Sequence, residues 1–78
     1  MTHFVILNRT HGLLQWSGEY ANAQAALADF DSNVGIDPNG EGLDVIADAY
    51  DVREVSAELR AAVEAWADAG AAADQSPL

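Results

Sequence analysis

Residues 37–48 read Asp-Pro-Asn-Gly-Glu-Gly-Leu-Asp-Val-Ile-Ala-Asp, which sets oxygen-bearing side chains at the first, third, fifth and twelfth positions and glycine at the sixth. Calcium prefers such oxygen-only sets, and the spacing approaches an EF-hand loop. Three departures weaken the match. Asp44 occupies the eighth position, where an apolar residue belongs. Asp48 replaces the bidentate glutamate of position twelve. Pro38 and the preceding Asn33-Val34-Gly35 interrupt the helix that should enter the loop. The segment therefore reads as a turn-rich loop. His3 and His11 flank the first apolar run, but no third ligand accompanies them, so they read as surface histidines that add positive charge in mild acid. No Ser, Cys or Lys stands in a nucleophile context, and no glycine-rich turn precedes a helix in the phosphate-binding pattern. No catalytic residue and no cofactor are expected, and the sequence argues against an enzyme.

The chemistry that remains is charge. Thirteen carboxylates face three arginines among 78 residues, lysine is absent, and the formal net charge is -10. Phosphate binding is driven by Lys and Arg, so this composition disfavours direct contact with nucleic acid or an anionic membrane. It favours a basic protein surface, the commonest of which are those that bind nucleic acid. Solubility, a GC-rich genome or a high-salt environment would produce the same excess. If residues 43–51 are helical, Asp44, Asp48 and Asp51 share one face with a rise of ~5–6 Å between them. A DNA strand presents a phosphate every ~3.4 Å. That row supplies a little over half a strand's charge density, and Asp37, Glu41 and Glu54 would have to complete the track. These six are the expected partner-binding residues. Trp66 reads as core, Trp16 lies on a hairpin, and Tyr50 is the aromatic expected to be most exposed.

The elements that must position these residues follow from periodicity. Phe4–Asn8 is an apolar strand, 9–12 a turn, and Leu13–Tyr20 a second strand, with Leu14, Trp16 and Tyr20 on one side and Gln15, Ser17 and Glu19 on the other. Asn22 caps a helix over 23–33, whose stripe is Ala23, Ala26, Leu27, Phe30 and Val34, and Gly35 ends it. A short helix is expected from Leu43, with a strand as its rival because Val45 and Ile46 are β-branched. Asp51–Val55 is extended. Ser56 caps a last helix bearing Leu59, Ala62, Val63 and Trp66, and Gly70 stops it. The expected fold is one α+β domain over residues 1–70: an N-terminal hairpin plus a third strand in a small antiparallel sheet, two main helices on one face, and a frayed tail at 71–78. The core is expected at Phe4, Ile6, Leu14, Trp16, Leu27, Phe30, Val52, Leu59, Val63 and Trp66. Cysteine is absent, so neither a disulfide nor thiolate-bound zinc supports the fold. A core this thin favours oligomerisation, and a two-fold dimer is expected through an open edge at Phe4–Asn8. No targeting or membrane-spanning segment is evident, and the cytoplasm is the expected location.

With its small size, lack of cysteine, hairpin-plus-helix layout and acidic track of Asp44, Asp48, Asp51 and Glu54, the chain resembles the small acidic anti-CRISPR proteins of phages, especially inhibitors of type I systems. The resemblance rests on overall character and includes no diagnostic motif. It implies a non-enzymatic inhibitor working in a bacterial host's cytoplasm, blocking a basic DNA-binding surface of a Cas complex by partial DNA mimicry. The alternative is a small bacterial accessory domain used in protein–protein assembly.

Overall fold

Four consecutive residues, Phe4 to Leu7, are buried, with Val5 and Ile6 wholly inaccessible. Successive side chains on a strand point to opposite faces, so a strand buried at every position is covered on both. The computed structural model, which describes residues 1–78 except for the side chain of Ala73, shows how. Strand β1 (Thr2–Asn8) is the middle of a three-stranded sheet. Strand β2 (Leu14–Tyr20) lies on one side and β3 (Tyr50–Val55) on the other, both antiparallel to it. The α+β class and the antiparallel sheet are as expected from the sequence. The expected open edge at Phe4–Asn8 is not: β3 occupies it, and the free edges belong to β2 and β3.

Opposed residues on paired strands share a face. Phe4, Ile6, Trp16 and Val52 therefore lie on one face, and His3, Val5, Ser17 and Arg53 on the other. Helix α1 (Ala23–Val34) packs Ala26, Leu27 and Phe30 against Phe4 and Ile6. Helix α3 (Ala57–Asp68) reaches the opposite face: its Glu64 accepts from Ser17, and its Arg60 meets His3. The two main helices thus sit on opposite faces, which corrects the expectation that they share one. The reason is width. Three strands at ~4.8 Å span about 10 Å, the diameter of one helix. Two helices on one face would also leave Val5 and Leu7 in water.

Local signals set the boundaries. The Asn22 side chain accepts from the Ala25 N–H at 2.9 Å. Gly35 takes φ 76° and returns its N–H to the Asp31 carbonyl at 2.7 Å, a left-handed ending open to glycine without steric cost. The Ser56 hydroxyl accepts from the Leu59 N–H at 3.0 Å. Between α1 and β3 the chain forms a single helical turn, α2 (Leu43–Ile46), followed by a 3-10 turn at Ala47–Ala49.

Burial departs from the expected core at several places. Phe4, Ile6, Leu27, Phe30 and Val63 are buried as expected, and Val5, Leu7 and Ala26 join them. Leu14, Trp16, Val52, Leu59 and Trp66 are half-buried. A register shift between Ile6 and Leu7 sets Leu14 opposite Leu7, so Leu14 leaves the face of Trp16. Val34 is exposed. Tyr50, expected to be the exposed aromatic, meets Phe30 edge-on with ring centres 5.2 Å apart. The tail expected to fray carries contacts: Ala72 accepts from the Trp66 indole N–H at 2.8 Å, and Ser76 and Leu78 are half-buried.

Candidate functional site

The structure does not gather the six expected partner-binding carboxylates into one helical row. Asp44 lies in α2 and Asp48 in the 3-10 turn, both exposed, but the helix stops at Ile46 and Asp51 belongs to β3. The antiparallel ladder with β1 claims the chain from Tyr50. Asp51 is also neutralised. Its Oδ2 accepts from Arg53 Nε at 2.9 Å and lies 2.8 Å from Nη2, and the paired carboxylate raises the Arg53 pKa above its ordinary value. Glu54 is exposed on β3, opposite Phe4. Asp37 works within its own loop: its two carboxylate oxygens accept from the backbone N–H groups of Glu41 and Gly42 at 2.9 and 3.0 Å. No group of three or more metal-ligating side chains converges among the described residues.

Bases and salt bridges are unevenly distributed between the two faces. Residues 21–49, which build α1, the following loop, α2 and the 3-10 turn, carry Asp29, Asp31, Asp37, Glu41, Asp44 and Asp48 and not one Arg, Lys or His. On the α3 side some charges are paired, although Glu58 and Asp68 of α3 join no salt bridge among the described residues. His3 Nε2 meets Glu19 at 3.3 Å, its Nδ1 lies 3.2 Å from Arg60 Nη1, and Arg60 Nε meets Glu64 at 3.3 Å. The Ser17 hydroxyl donates to the same Glu64 oxygen at 2.5 Å. Ser17's hydrogen bond, helped by the Arg60 charge and opposed by partial burial, holds the Glu64 carboxyl below the usual carboxylate range. All three salt bridges found among the described residues lie on this face.

A second polar chain ties α1 to the β2 edge. The Trp16 indole N–H donates to the Tyr20 hydroxyl at 2.8 Å, and that hydroxyl donates to Asp29 at 2.5 Å. Burial, then the bond to Asp29, pushes the Tyr20 phenol above its ordinary value. The tyrosine ring folds back over Gly18, where an added Cβ would lie 2.7 Å from a ring carbon.

Sequence reasoning singled out neither polar chain. Arg60 and Glu64 stand at helical i, i+4 spacing, a legible pair. Their links to His3 and Ser17 span 57 and 47 residues and carry no local trace. No family model, curated protein or solved structure matches the chain. Among the described residues no helix is long and apolar enough to cross a membrane.

Proposed function

We propose that the chain is a non-enzymatic acidic binding protein that presents the α1–α2 side to a basic, nucleic-acid-binding protein surface. The resemblance to phage anti-CRISPR proteins makes a Cas complex the first partner to test. One observation carries the reading: six carboxylates and no base in residues 21–49. Like charges collected on one side, with the arginines of β3 and α3 consumed by their own partners, leave an unbalanced negative field there. Such a field steers a basic partner and excludes nucleic acid. Exposed Asp44 and Asp48 are its centre, with Glu41 beside them; Asp51 contributes little because Arg53 cancels it.

The test is displacement of target DNA from a purified type I Cas complex, followed by mobility shift. The wild-type protein releases DNA at low salt and less well as salt rises, since exposed charges are screened beyond ~8 Å at physiological ionic strength. Converting Glu41, Asp44 and Asp48 to Lys abolishes release while circular dichroism stays unchanged. Equal release by that variant overturns the reading. Protein–protein assembly is the second reading, favoured by the free β2 edge. That strand carries a single charge, Glu19, whereas β3 carries Asp51, Arg53 and Glu54, which guard an edge against pairing. Light scattering at micromolar protein distinguishes it: a dimer mass supports assembly, and a mass near 8.2 kDa unchanged on concentration opposes it.

A further inference from the structure

The outer side of α1 and the single turn of α2 enclose an open groove of about 670 Å³. Its floor is apolar. Ala25 and Ala28 stand three residues apart on α1, away from the buried stripe of Ala26, Leu27 and Phe30. Leu43 and Val45 face them from α2. Leu43 also packs on the core and is half-buried, but Val45 is 52% exposed, one of few large apolar side chains left so open. Two small residues on one wall and an uncovered β-branched residue on the other make a seat for an apolar side chain. Its rim is acidic. Glu41 and Asp44 border it, and neither takes part in a salt bridge among the described residues. Glu41 receives only a long 3.4 Å bond from Asn39.

The geometry points to this groove as the docking site for a basic protein segment that inserts one apolar side chain between Ala25, Ala28, Leu43 and Val45 while flanking Arg or Lys side chains meet Glu41 and Asp44. The inference rests on the acidic-binding reading above and gives it a place and a specificity. Charge selects the occupant. A second copy of this chain would bring its own formal -10 against the rim. Nucleic acid and anionic lipid are repelled for the same reason. A purely apolar segment would leave both carboxylates beside it unpaired as the rim loses water. Arginine flanks suit carboxylates best, since the guanidinium fork can grip both oxygens. The apolar anchor adds what charge alone lacks, an attraction that survives salt.

Two synthetic peptides of equal length serve as probes, both arginine-flanked, one with a central leucine and one with glycine in its place. Amide chemical shifts of the ¹⁵N-labelled full chain report binding. The leucine peptide is expected to bind about tenfold more tightly, the fraction of a full side-chain burial that an open groove returns. Its shifts should centre on Ala25, Ala28, Leu43 and Val45, and its advantage should persist at high salt. Val45→Ser and Ala28→Gln, both at exposed positions, should remove the leucine advantage and leave the glycine peptide's weak, salt-sensitive binding unchanged. Equal affinity of the two peptides, or leucine-dependent shifts that centre elsewhere, overturns the groove and leaves the acidic-surface reading standing. Binding of neither peptide overturns both.

Discussion

The two faces of the central sheet are held by different physics. On the α1 face the contacts are large and aromatic. Phe30 sits between Trp16, with ring centres 5.6 Å apart, and Tyr50 at 5.2 Å, over Phe4 and Ile6. On the α3 face the buried centre is Val5 with Leu7 and Val63, and the surroundings are polar: Ser17, Glu64, Arg60, His3 and Glu19 form one connected chain. Charge follows the same division. The face with the strong apolar core carries unpaired acid outside it, and the face with the small core carries the ion pairs. A helix anchored by aromatics depends little on its surface charges, and Glu41, Asp44 and Asp48 beside it join no salt bridge among the described residues. A helix anchored by small aliphatics gains orientation from its polar chain, although exposed ion pairs contribute little energy.

Substitutions that remove the anchor on each side test this contrast most strongly. Phe30→Ala deletes a ring that is 2% exposed and touches two other aromatics. It is expected to cost ~3–5 kcal/mol, much of the stability of so small a domain. Urea unfolding measures it, and a loss under about 1 kcal/mol would show that the aromatic cluster does not dominate. Val63→Ala, the equivalent change on the other face, removes less buried surface and should cost about 2 kcal/mol. A larger loss than that of Phe30→Ala reverses the ranking of the faces. Trp66, half-buried with its indole N–H on Ala72, should be less costly to truncate than Phe30.

Gly18→Ala probes the seam where β2 meets α1. A new Cβ there runs into the Tyr20 ring, which hydrogen bonds to Trp16 and Asp29 hold in place. The ring must move, at a cost of about 1 kcal/mol. With the bond to Asp29 broken, the phenol should titrate nearer its ordinary value, which absorbance during alkaline titration detects; an unchanged titration with unchanged stability would mean that the ring adjusts without losing its partners. In the wild-type protein the raised Tyr20 pKa means that the folded state prefers the neutral phenol. Its contribution is complete below the unfolded pKa near 10 and is lost as pH rises through the higher folded value.

The smallest effect is expected on the α3 face in acid. The depressed Glu64 pKa means that its contribution is present above the unfolded carboxylate value of 4.5 and is lost as pH falls through the lower folded value. Glu64→Gln should lower stability near neutral pH by less than about 1 kcal/mol, because the side chain is 41% exposed. It should also flatten the loss of stability below the ordinary carboxylate range. A neutral-pH loss as large as that of Val63→Ala would show that the polar chain, not the valine contact, anchors α3.

Local chemistry made much of the fold legible beforehand. Asn22 and Gly35 bracket α1, Ser56 opens α3, and Gly12 in the turn permits the hairpin, each through contacts within a few residues. The acidic character of residues 21–49 was equally plain, since charge needs no fold to be counted. The run Phe4-Val5-Ile6-Leu7 also held a readable message: four apolar residues in a row mark a strand buried on both faces, and hence a central strand flanked by two helical layers. Tertiary structure alone decided which neighbour fills the second edge of β1. The partner β3 begins more than forty residues later, and no local pattern encodes a pairing across that distance. It also decided that Asp51 leaves the acidic row for Arg53, because strand geometry sets residues i and i+2 on the same side. The groove between α1 and α2 arose in the same way, from helix faces that become neighbours only once Phe30 and Leu43 have packed into one core.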